Sequence, residues 1–92
     1  MSNIKVTQDQ VDGFIKSTKI MTLGEKTTLV HATLENGFTI KKTSACVDPE
    51  NYDENIGAQI CLERIKNEVW YLLGFLLQQR EYERKKIQKG AN

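Results

Sequence analysis

The basic residues near the C-terminal end are the first group whose spacing suggests a chemical role. Arg80 and Arg84 are four residues apart, so a helix would carry both guanidinium groups on one face, next to Lys85 and Lys86. Such a pair can hold a phosphate or pyrophosphate through forked, charge-assisted hydrogen bonds. The same charges also suit a solvated helix C-terminus, where cations interact favourably with the helix dipole. From these residues alone, the solvated helix end is the favoured interpretation.

Three aromatic residues could stack on a nucleobase: Phe38, Tyr52 and Trp70. Core packing is the favoured interpretation for Trp70. Phe38 follows a predicted turn and Tyr52 lies in a predicted loop, so for these two both interpretations stay open. Asn51 precedes Tyr52, and its amide could either read the edge of a base or cap the following helix. Phe38, Asn51 and Tyr52 are therefore candidates for a binding site.

No set of residues indicates catalysis. The single histidine, His31, falls in the middle of a predicted strand, with no nucleophile placed beside it by the sequence. Cys46 and Cys61 lack the spacing of a metal site and are expected to be free thiols in a reducing cytosol. The acids of residues 48–54 are better explained by charge at a helix start than by a carboxylate cluster. We therefore expect no enzyme activity, no metal and no cofactor.

Composition sets the broad class of the protein. The chain has 92 residues, of which 39% are hydrophobic and 27% charged, and this predicts one globular domain over residues 1–92. A net charge of +1 gives no general attraction to nucleic acid or to acidic membranes, so neither is an expected partner. The longest apolar run, residues 69–77, is far shorter than the roughly 20 residues of a membrane span. The N-terminal residues lack the apolar core of a signal peptide, so we expect an intracellular protein, or one that acts inside a host cell.

The elements that must position these residues form a predicted α+β fold. A capping box at Thr7 begins a short helix over about residues 8–17. Alternation along residues 27–34 places Val30, Ala32 and Leu34 on one strand face, and Asn36-Gly37 predicts a type I′ hairpin turn. The predicted segments are a short helix within residues 1–18, an antiparallel meander of three to four strands at 19–42, a loop at 43–51 and one long helix at 52–89.

The long helix predicts association between copies of the chain. Its apolar residues at helical spacing suggest one buried stripe, consisting of Ile56, Ile60, Ile65, Val69, Leu72, Leu73 and Leu76. The segment from Trp70 to Leu77 is apolar on nearly every side, and so small a chain cannot bury all of it. We therefore expect a dimer or a larger homo-oligomer. Gly57 and Gly74 could each allow close approach of another backbone or of a ligand.

Several of these motifs together resemble a family of small tailed-phage proteins over about residues 20–78. The resemblance rests on the run Thr28–Leu34, on Asn36-Gly37-Phe38, on Ser44–Tyr52 with its Asp-Pro-Glu-Asn element, and on helix residues Ile56-Gly57, Ile60-Cys61, Arg64-Ile65, Trp70 and Gly74–Leu77. This family includes the first type of Thoeris anti-defence protein. Such proteins are sponges that sequester the cyclic ADP-ribose signal made by host TIR-domain enzymes. Some members also hold cyclic trinucleotides of the CBASS system at a separate site.

The resemblance implies a function, an assembly and a set of site residues. The function is sequestration of a cyclic nucleotide signal in the host bacterial cytoplasm, without cleavage. The assembly is a dimer, or a hexamer built from dimers, with pockets between protomers. The implied contacts are a base against Phe38 and Tyr52, a polar edge at Asn51, and phosphates at Arg64, Arg80 and Arg84.

Two other functions stay open at this point. Arg80 to Lys89 holds five bases and two acids, so a phage accessory protein could bind nucleic acid or a host protein through this helix end. An enzyme that degrades the signal is the least favoured alternative, because no nucleophile, metal site or paired base is visible.

Overall fold

The structure, a computed structural model, describes residues 5–90 and the side chains of residues 5–87. Its elements are α1 (Gln8–Phe14), β1 (Ile15–Leu23), β2 (Thr27–Leu34), β3 (Thr39–Ala45), a 3₁₀ turn (Pro49–Asn51) and α2 (Glu54–Gly90). The strands form one antiparallel sheet in the order β1-β2-β3. The predicted α+β class, with a short helix, a meander and one long helix, is confirmed. The prediction about a signal peptide falls partly on residues 1–4, which lie outside the described residues.

The capping box fixes the start of α1. The Thr7 hydroxyl accepts a hydrogen bond from the Gln10 backbone N–H at 3.2 Å, and the Gln10 side-chain carbonyl accepts one from the Thr7 N–H at 3.0 Å. The helix ends at Phe14, three residues earlier than predicted, because Ile15 already pairs with Leu34 in the sheet. Pairing with β2 supplies backbone hydrogen bonds that this segment would otherwise make within a longer helix.

The sheet buries one face against the helices. Along β2, every second residue is buried, namely Thr28, Val30, Ala32 and Leu34, which confirms the predicted alternation. The residues between them are half-buried on the outer face, where His31 pairs in register with Lys19 and Lys41. The inner face packs on the buried stripe of α2 and on Val11 of α1. This packing sets the position of every residue at the start of α2.

The hairpin between β2 and β3 is confirmed, but its predicted turn type is wrong. Leu34 N–H donates to Phe38 O at 2.8 Å and Gly37 N–H donates to Leu34 O at 2.9 Å, which closes a three-residue loop. In this loop only Gly37 has a positive φ, of 90°. A type I′ turn would also force Asn36 to a positive φ, which the longer loop avoids. Phe38 therefore precedes β3 and stays 53% exposed.

The helix α2 begins at Glu54, two residues later than predicted. Asp53 caps it, because its carboxylate accepts hydrogen bonds from the N–H groups of Asn55 at 2.9 Å and Ile56 at 3.4 Å. Asn51 instead ends the 3₁₀ turn, which Asp48 caps and Pro49 begins. The alternative that Asn51 caps the long helix is thus wrong.

The buried stripe of α2 differs from the predicted one. It consists of Ala58, Cys61, Ile65 and Val69, whereas Ile56 and Ile60 are exposed. Neighbouring residues are about 100° apart around a helix, so Ile60 cannot share the face of Cys61. The predicted stripe combined residues from two faces of the helix, with Ile65 and Val69 on the buried face and Ile56 and Ile60 on the exposed one. Among the described residues, no helix has both the length and the apolar character needed to cross a membrane.

Candidate ligand-binding cleft

A cleft of about 170 Å³ opens between the end of β3 and the start of α2. We call it the β3–α2 cleft. It contains two of the residues predicted for ligand binding, Asn51 and Tyr52. Its lining consists of Ser44, Ala45, Cys46, Asn51, Tyr52, Asp53, Ile56, Gly57 and Ile60.

Gly57 allows α2 to lie directly against β2 at the base of this cleft. A Cβ at Gly57 would overlap the Thr28 hydroxyl and would lie 2.7 Å from Thr28 Cβ. Thr28 is fully buried, so its side chain has no room to move aside. The sequence predicted a close approach at this glycine, and the structure identifies Thr28 as the neighbour. Gly74 has no atom within 4 Å of its Cβ position.

A chain of hydroxyl groups fixes Tyr52 to the sheet. The Tyr52 hydroxyl lies 2.7 Å from Thr28 Oγ1 and 2.8 Å from Thr22 Oγ1, and Thr22 Oγ1 donates to a Glu54 carboxylate oxygen. An ionised carboxylate only accepts, and each hydroxyl has one proton to donate. Because Thr22 donates to Glu54, the Tyr52 hydroxyl donates to Thr22 at 2.8 Å in preference to the Thr27 carbonyl at 3.5 Å, and Thr28 donates to Tyr52. This order holds the half-buried Tyr52 ring as a wall of the cleft.

Tyr52→Phe is expected to destabilise the fold by about 1–3 kcal/mol, because it removes the acceptor of the buried Thr28 hydroxyl. The control is Thr18→Val, which also removes one hydroxyl group, but from an exposed side chain. Urea unfolding followed by circular dichroism measures the free energy of unfolding of both variants. Equal stability of the two variants would contradict the hydroxyl chain.

Asn51 and Arg64 bring polar groups to the same region. Asn51 is exposed at the cleft, and its backbone N–H donates to Asp48 O at 3.0 Å. Arg64 Nη1 donates to the Thr43 carbonyl at 3.0 Å, next to Ser44 in the lining. Arg64 also lies one helical turn beyond Ile60 on α2. The arginine thus stands at the edge of the cleft with further N–H donors unused by this bond.

The structure does not bring the other predicted site residues to this cleft. Phe38 lines a groove of about 210 Å³ that it shares with Phe75 and Leu76. Arg80 lines a third groove beside α1. Arg80 lies twenty residues beyond Ile60 on α2, which is roughly 30 Å along the helix axis. Within one chain, Asn51 and Tyr52 therefore line the β3–α2 cleft, Arg64 lies beside its Ser44 end, and Phe38 and Arg80 lie elsewhere.

Arg84 is engaged with its own helix. Its Nη2 atom lies 2.8 Å from a Glu81 carboxylate oxygen, three residues earlier. This hydrogen bond lowers the pKa of Glu81 and raises the pKa of Arg84 from their ordinary values. Both groups are accessible to water, so the pair contributes little to stability. Arg84 therefore lies at a solvent-exposed helix end, which is the interpretation that the sequence favoured for this residue.

Sequence reasoning missed the partners of Tyr52 and several cleft residues. Thr22 and Thr28 are directly opposite each other in the β1–β2 register, which no local pattern in the sequence indicated. Both cysteines are free, as predicted, and Cys46 lines the cleft. Among residues 5–90, no group of three or more His, Cys, Asp or Glu side chains could hold a metal ion.

Comparison with known families identifies the broad origin of the chain. Residues 6–81 match the family described as "Phage protein (N4 Gp49/phage Sf6 gene 66) family". The chain belongs to this phage protein family. The match confirms the predicted likeness to a family of small phage proteins, and it begins earlier than predicted, before α1. No curated protein and no solved structure matches the chain.

This phage protein also exposes a continuous line of residues along α2, which we call the α2 seam. Its members are spaced by four, three, four, four, three and four residues, which places them on one helix face. All seven are exposed, and Tyr71 and Phe75 are 78% and 68% exposed. The seam consists of Ile60, Arg64, Asn67, Tyr71, Phe75, Gln78 and Tyr82. Because Ile60 belongs to both, the seam and the β3–α2 cleft share one face of α2.

Proposed function

We propose that this phage protein is a non-enzymatic sponge that sequesters a cyclic nucleotide immune signal in the host cytoplasm. Cyclic ADP-ribose isomers of Thoeris are the first ligands to test, and cyclic trinucleotides of CBASS are the second. The observation that carries the proposal is that Asn51 and Tyr52 line one cleft, while Arg64 binds the Thr43 carbonyl, next to the lining residue Ser44. Membership of a phage protein family supports it, together with the resemblance to the anti-defence sponges.

Each of these three side chains suits one part of such a ligand. The Tyr52 ring offers an aromatic surface for an adenine base. The exposed Asn51 amide offers a donor and an acceptor for a base or ribose edge. Arg64 offers guanidinium donors for a pyrophosphate oxygen. A sponge requires only that these groups bind the ground state of the ligand, because it has no transition state to stabilise.

The small size of the cleft supports a site that a second protomer completes. Its volume is about 170 Å³, below the roughly 300 Å³ at the small end of ligand pockets. The cleft of one copy would therefore enclose only part of a cyclic dinucleotide-sized molecule. A second copy that covers the cleft would exclude water from the rest of the ligand.

The α2 seam suggests how that copy is placed. The spacing of the seam residues is the same on both sides of Tyr71. If two antiparallel helices are related by a twofold axis at Tyr71, each seam residue of one helix therefore lies opposite a seam residue of the other. Ile60 of one copy then lies opposite Tyr82 of the partner subunit. The acidic start of each helix lies near the basic end of the other, which favours this orientation over a parallel one.

This pairing brings aromatic and basic groups of the partner to the cleft. In each chain, Tyr82, Lys85 and Lys86 line a shallow groove together with Gln78 and Glu81. The groove lies at the level of Ile56 and Ile60 in the antiparallel pair. Lys85 and Lys86 would then contact ligand phosphates together with Arg64. Arg80 and Arg84 project from another side of α2, so the proposed site does not use them. Dimers of this kind could assemble further into hexamers.

A second candidate function rests on the same basic helix end. Lys85 and Lys86 are exposed, and Lys86 Nζ lies 6.0 Å from the centre of the Tyr82 ring. An accessory protein could use these cations to bind nucleic acid or an acidic host protein. Strongly salt-dependent retardation of DNA or RNA, lost in a Lys85→Gln/Lys86→Gln variant, would favour this function over the sponge.

Calorimetric titration tests the sponge directly. We expect saturable binding of at least one cyclic ADP-ribose isomer or cyclic trinucleotide. Asn51→Ala is expected to weaken it by about tenfold or more, because ligand polar groups would lose a partner. Asn55→Ala is the matched control, since Asn55 is exposed on α2 but does not line the cleft. The absence of heat with every member of both ligand classes would contradict the proposal.

A further inference from the structure

A larger groove lies between α1 and α2 and shares no lining residue with the β3–α2 cleft. Its volume is about 420 Å³, within the range of roughly 300–1,000 Å³ for sites that bind small molecules. We call it the α1–α2 groove. Its lining consists of Lys5, Val6, Gln10, Gly13, Phe14, Leu73, Leu76, Leu77 and Arg80. The sponge proposed above uses none of these residues.

The floor of the groove is apolar and open. Val6, Phe14, Leu73, Leu76 and Leu77 supply it, from both sides. Gly13 has no atom within 4 Å of its Cβ position, so the space above α1 is unfilled. Burial of this apolar surface would favour any molecule that fits the groove with an apolar body.

Each polar side chain in the lining can donate to an anion. Lys5 and Arg80 are cations, and Arg80 lies seven residues beyond Leu73, about 10 Å along the axis of α2. The Gln10 side-chain carbonyl already accepts the Thr7 N–H, so its amide N–H₂ group remains as the donor. None of the described lining residues is acidic. This set of donors is complementary to an oxyanion and unfavourable for a cation.

We infer that the α1–α2 groove binds a small amphipathic anion, with an oxyanion head at Lys5 and Arg80 and an unsubstituted apolar body on the leucine floor. A fatty-acid-like carboxylate has this chemistry. A nucleotide fits less well, because its ribose hydroxyls and base edges would lie against leucine and phenylalanine with one amide to satisfy them. The inference is independent of the sponge, since it concerns a different surface.

Displacement of a fluorescent probe tests this site. The probe is 1-anilinonaphthalene-8-sulfonate, itself an anion on an apolar body, and the competitors are laurate and adenosine monophosphate. The full chain is expected to bind the probe saturably and to release it to laurate at lower concentration than to the nucleotide. Gly13→Leu fills the groove and should abolish this displacement without lowering the melting temperature, because leucine is a better helix former than glycine.

Matched variants separate this site from other surfaces. Gly74→Leu also adds a side chain where no atom lies within 4 Å, but outside the groove, and should leave displacement unchanged. Arg80→Gln should weaken laurate binding by about tenfold or more, and Arg84→Gln should not. Probe binding that is equal in Gly13→Leu and the unaltered chain would overturn the assignment. The assignment would also be overturned if laurate failed to displace the probe from both leucine variants, or if the nucleotide displaced the probe more strongly than laurate.

Discussion

Gly57→Ala is expected to destabilise the protein by about 2–3 kcal/mol, one of the largest effects of any single methyl group in this chain. The added Cβ would overlap the Thr28 hydroxyl and lie 2.7 Å from Thr28 Cβ. Neither side can yield easily, because Thr28 is fully buried and its hydroxyl donates to Tyr52. The loss should exceed the roughly 1 kcal/mol that alanine gains over glycine within a helix. Urea unfolding measures the net change.

Gly74→Ala is the matched control for this substitution. Gly74 lies in the same helix with no atom near its Cβ position, so the helix preference should act alone and stabilise by up to about 1 kcal/mol. Adding Thr28→Ala to Gly57→Ala should recover part of the loss, since the overlapping hydroxyl is removed. If Gly57→Ala is as stable as Gly74→Ala, α2 does not contact β2 as described.

The second large effect is expected at the centre of the α2 seam. Tyr71→Arg would place two guanidinium groups beside each other at the proposed twofold axis, and this repulsion should convert the proposed dimer into monomers. Loss of the partner should also abolish ligand binding, because the β3–α2 cleft alone is too small. Light scattering at micromolar concentration measures the first effect and calorimetry the second.

Gln59→Arg controls for the added charge. Gln59 is exposed on the same helix but does not belong to the seam. It should leave both the molecular mass and the ligand affinity unchanged. A monomeric unaltered protein, or a Tyr71→Arg variant that remains a dimer, would contradict the seam as the interface.

A mixing experiment tests whether each site is built from two copies. Asn51→Ala should disable the cleft side of the site, and Lys86→Glu should disable the partner side. In a random equal mixture, half of the dimers combine the two variants and carry one unaltered site, so about one quarter of all sites should bind. Binding in the mixture that is no greater than in either variant alone would place the whole site within one chain.

Local patterns in the sequence were sufficient for most of the fold. The capping box at Thr7 and the alternation along β2 act over a few residues, and both are confirmed. The type of the Asn36-Gly37 turn was not predictable in this way. Asn-Gly suits a two-residue turn as well as a three-residue one. The choice depends on which residues pair across the two strands, here Leu34 with Phe38.

The face that α2 buries also depends on tertiary contacts. Ile60 and Cys61 are adjacent and both apolar, so helical spacing alone allowed either to face the sheet. The contact between Gly57 and Thr28 fixes the rotation of the helix, buries Cys61 and exposes Ile60. The sequence contained the glycine, but no local signal identified the threonine against which it packs.

The candidate site was predictable only in part for the same reason. Asn51 and Tyr52 are neighbours in sequence and line the cleft together, whereas Arg64 lies about three turns beyond the helix start and reaches only the Thr43 carbonyl beside it. Phe38 and Arg80 belong to other grooves because the length of α2 keeps its two ends apart. Residue types indicated the chemistry of each contact, whereas the distances between them required the strand register and the helix rotation.

The most direct test of the sponge is to identify what the protein holds and releases. The purified chain is incubated with cyclic ADP-ribose isomers and with cyclic di- and trinucleotides, unbound ligand is removed, and the protein is denatured by heat. Mass spectrometry of the released material should show one of these cyclic nucleotides intact, and far less of it from Asn51→Ala than from Asn55→Ala. A cleaved product would indicate an enzyme, and an empty supernatant would contradict sequestration altogether.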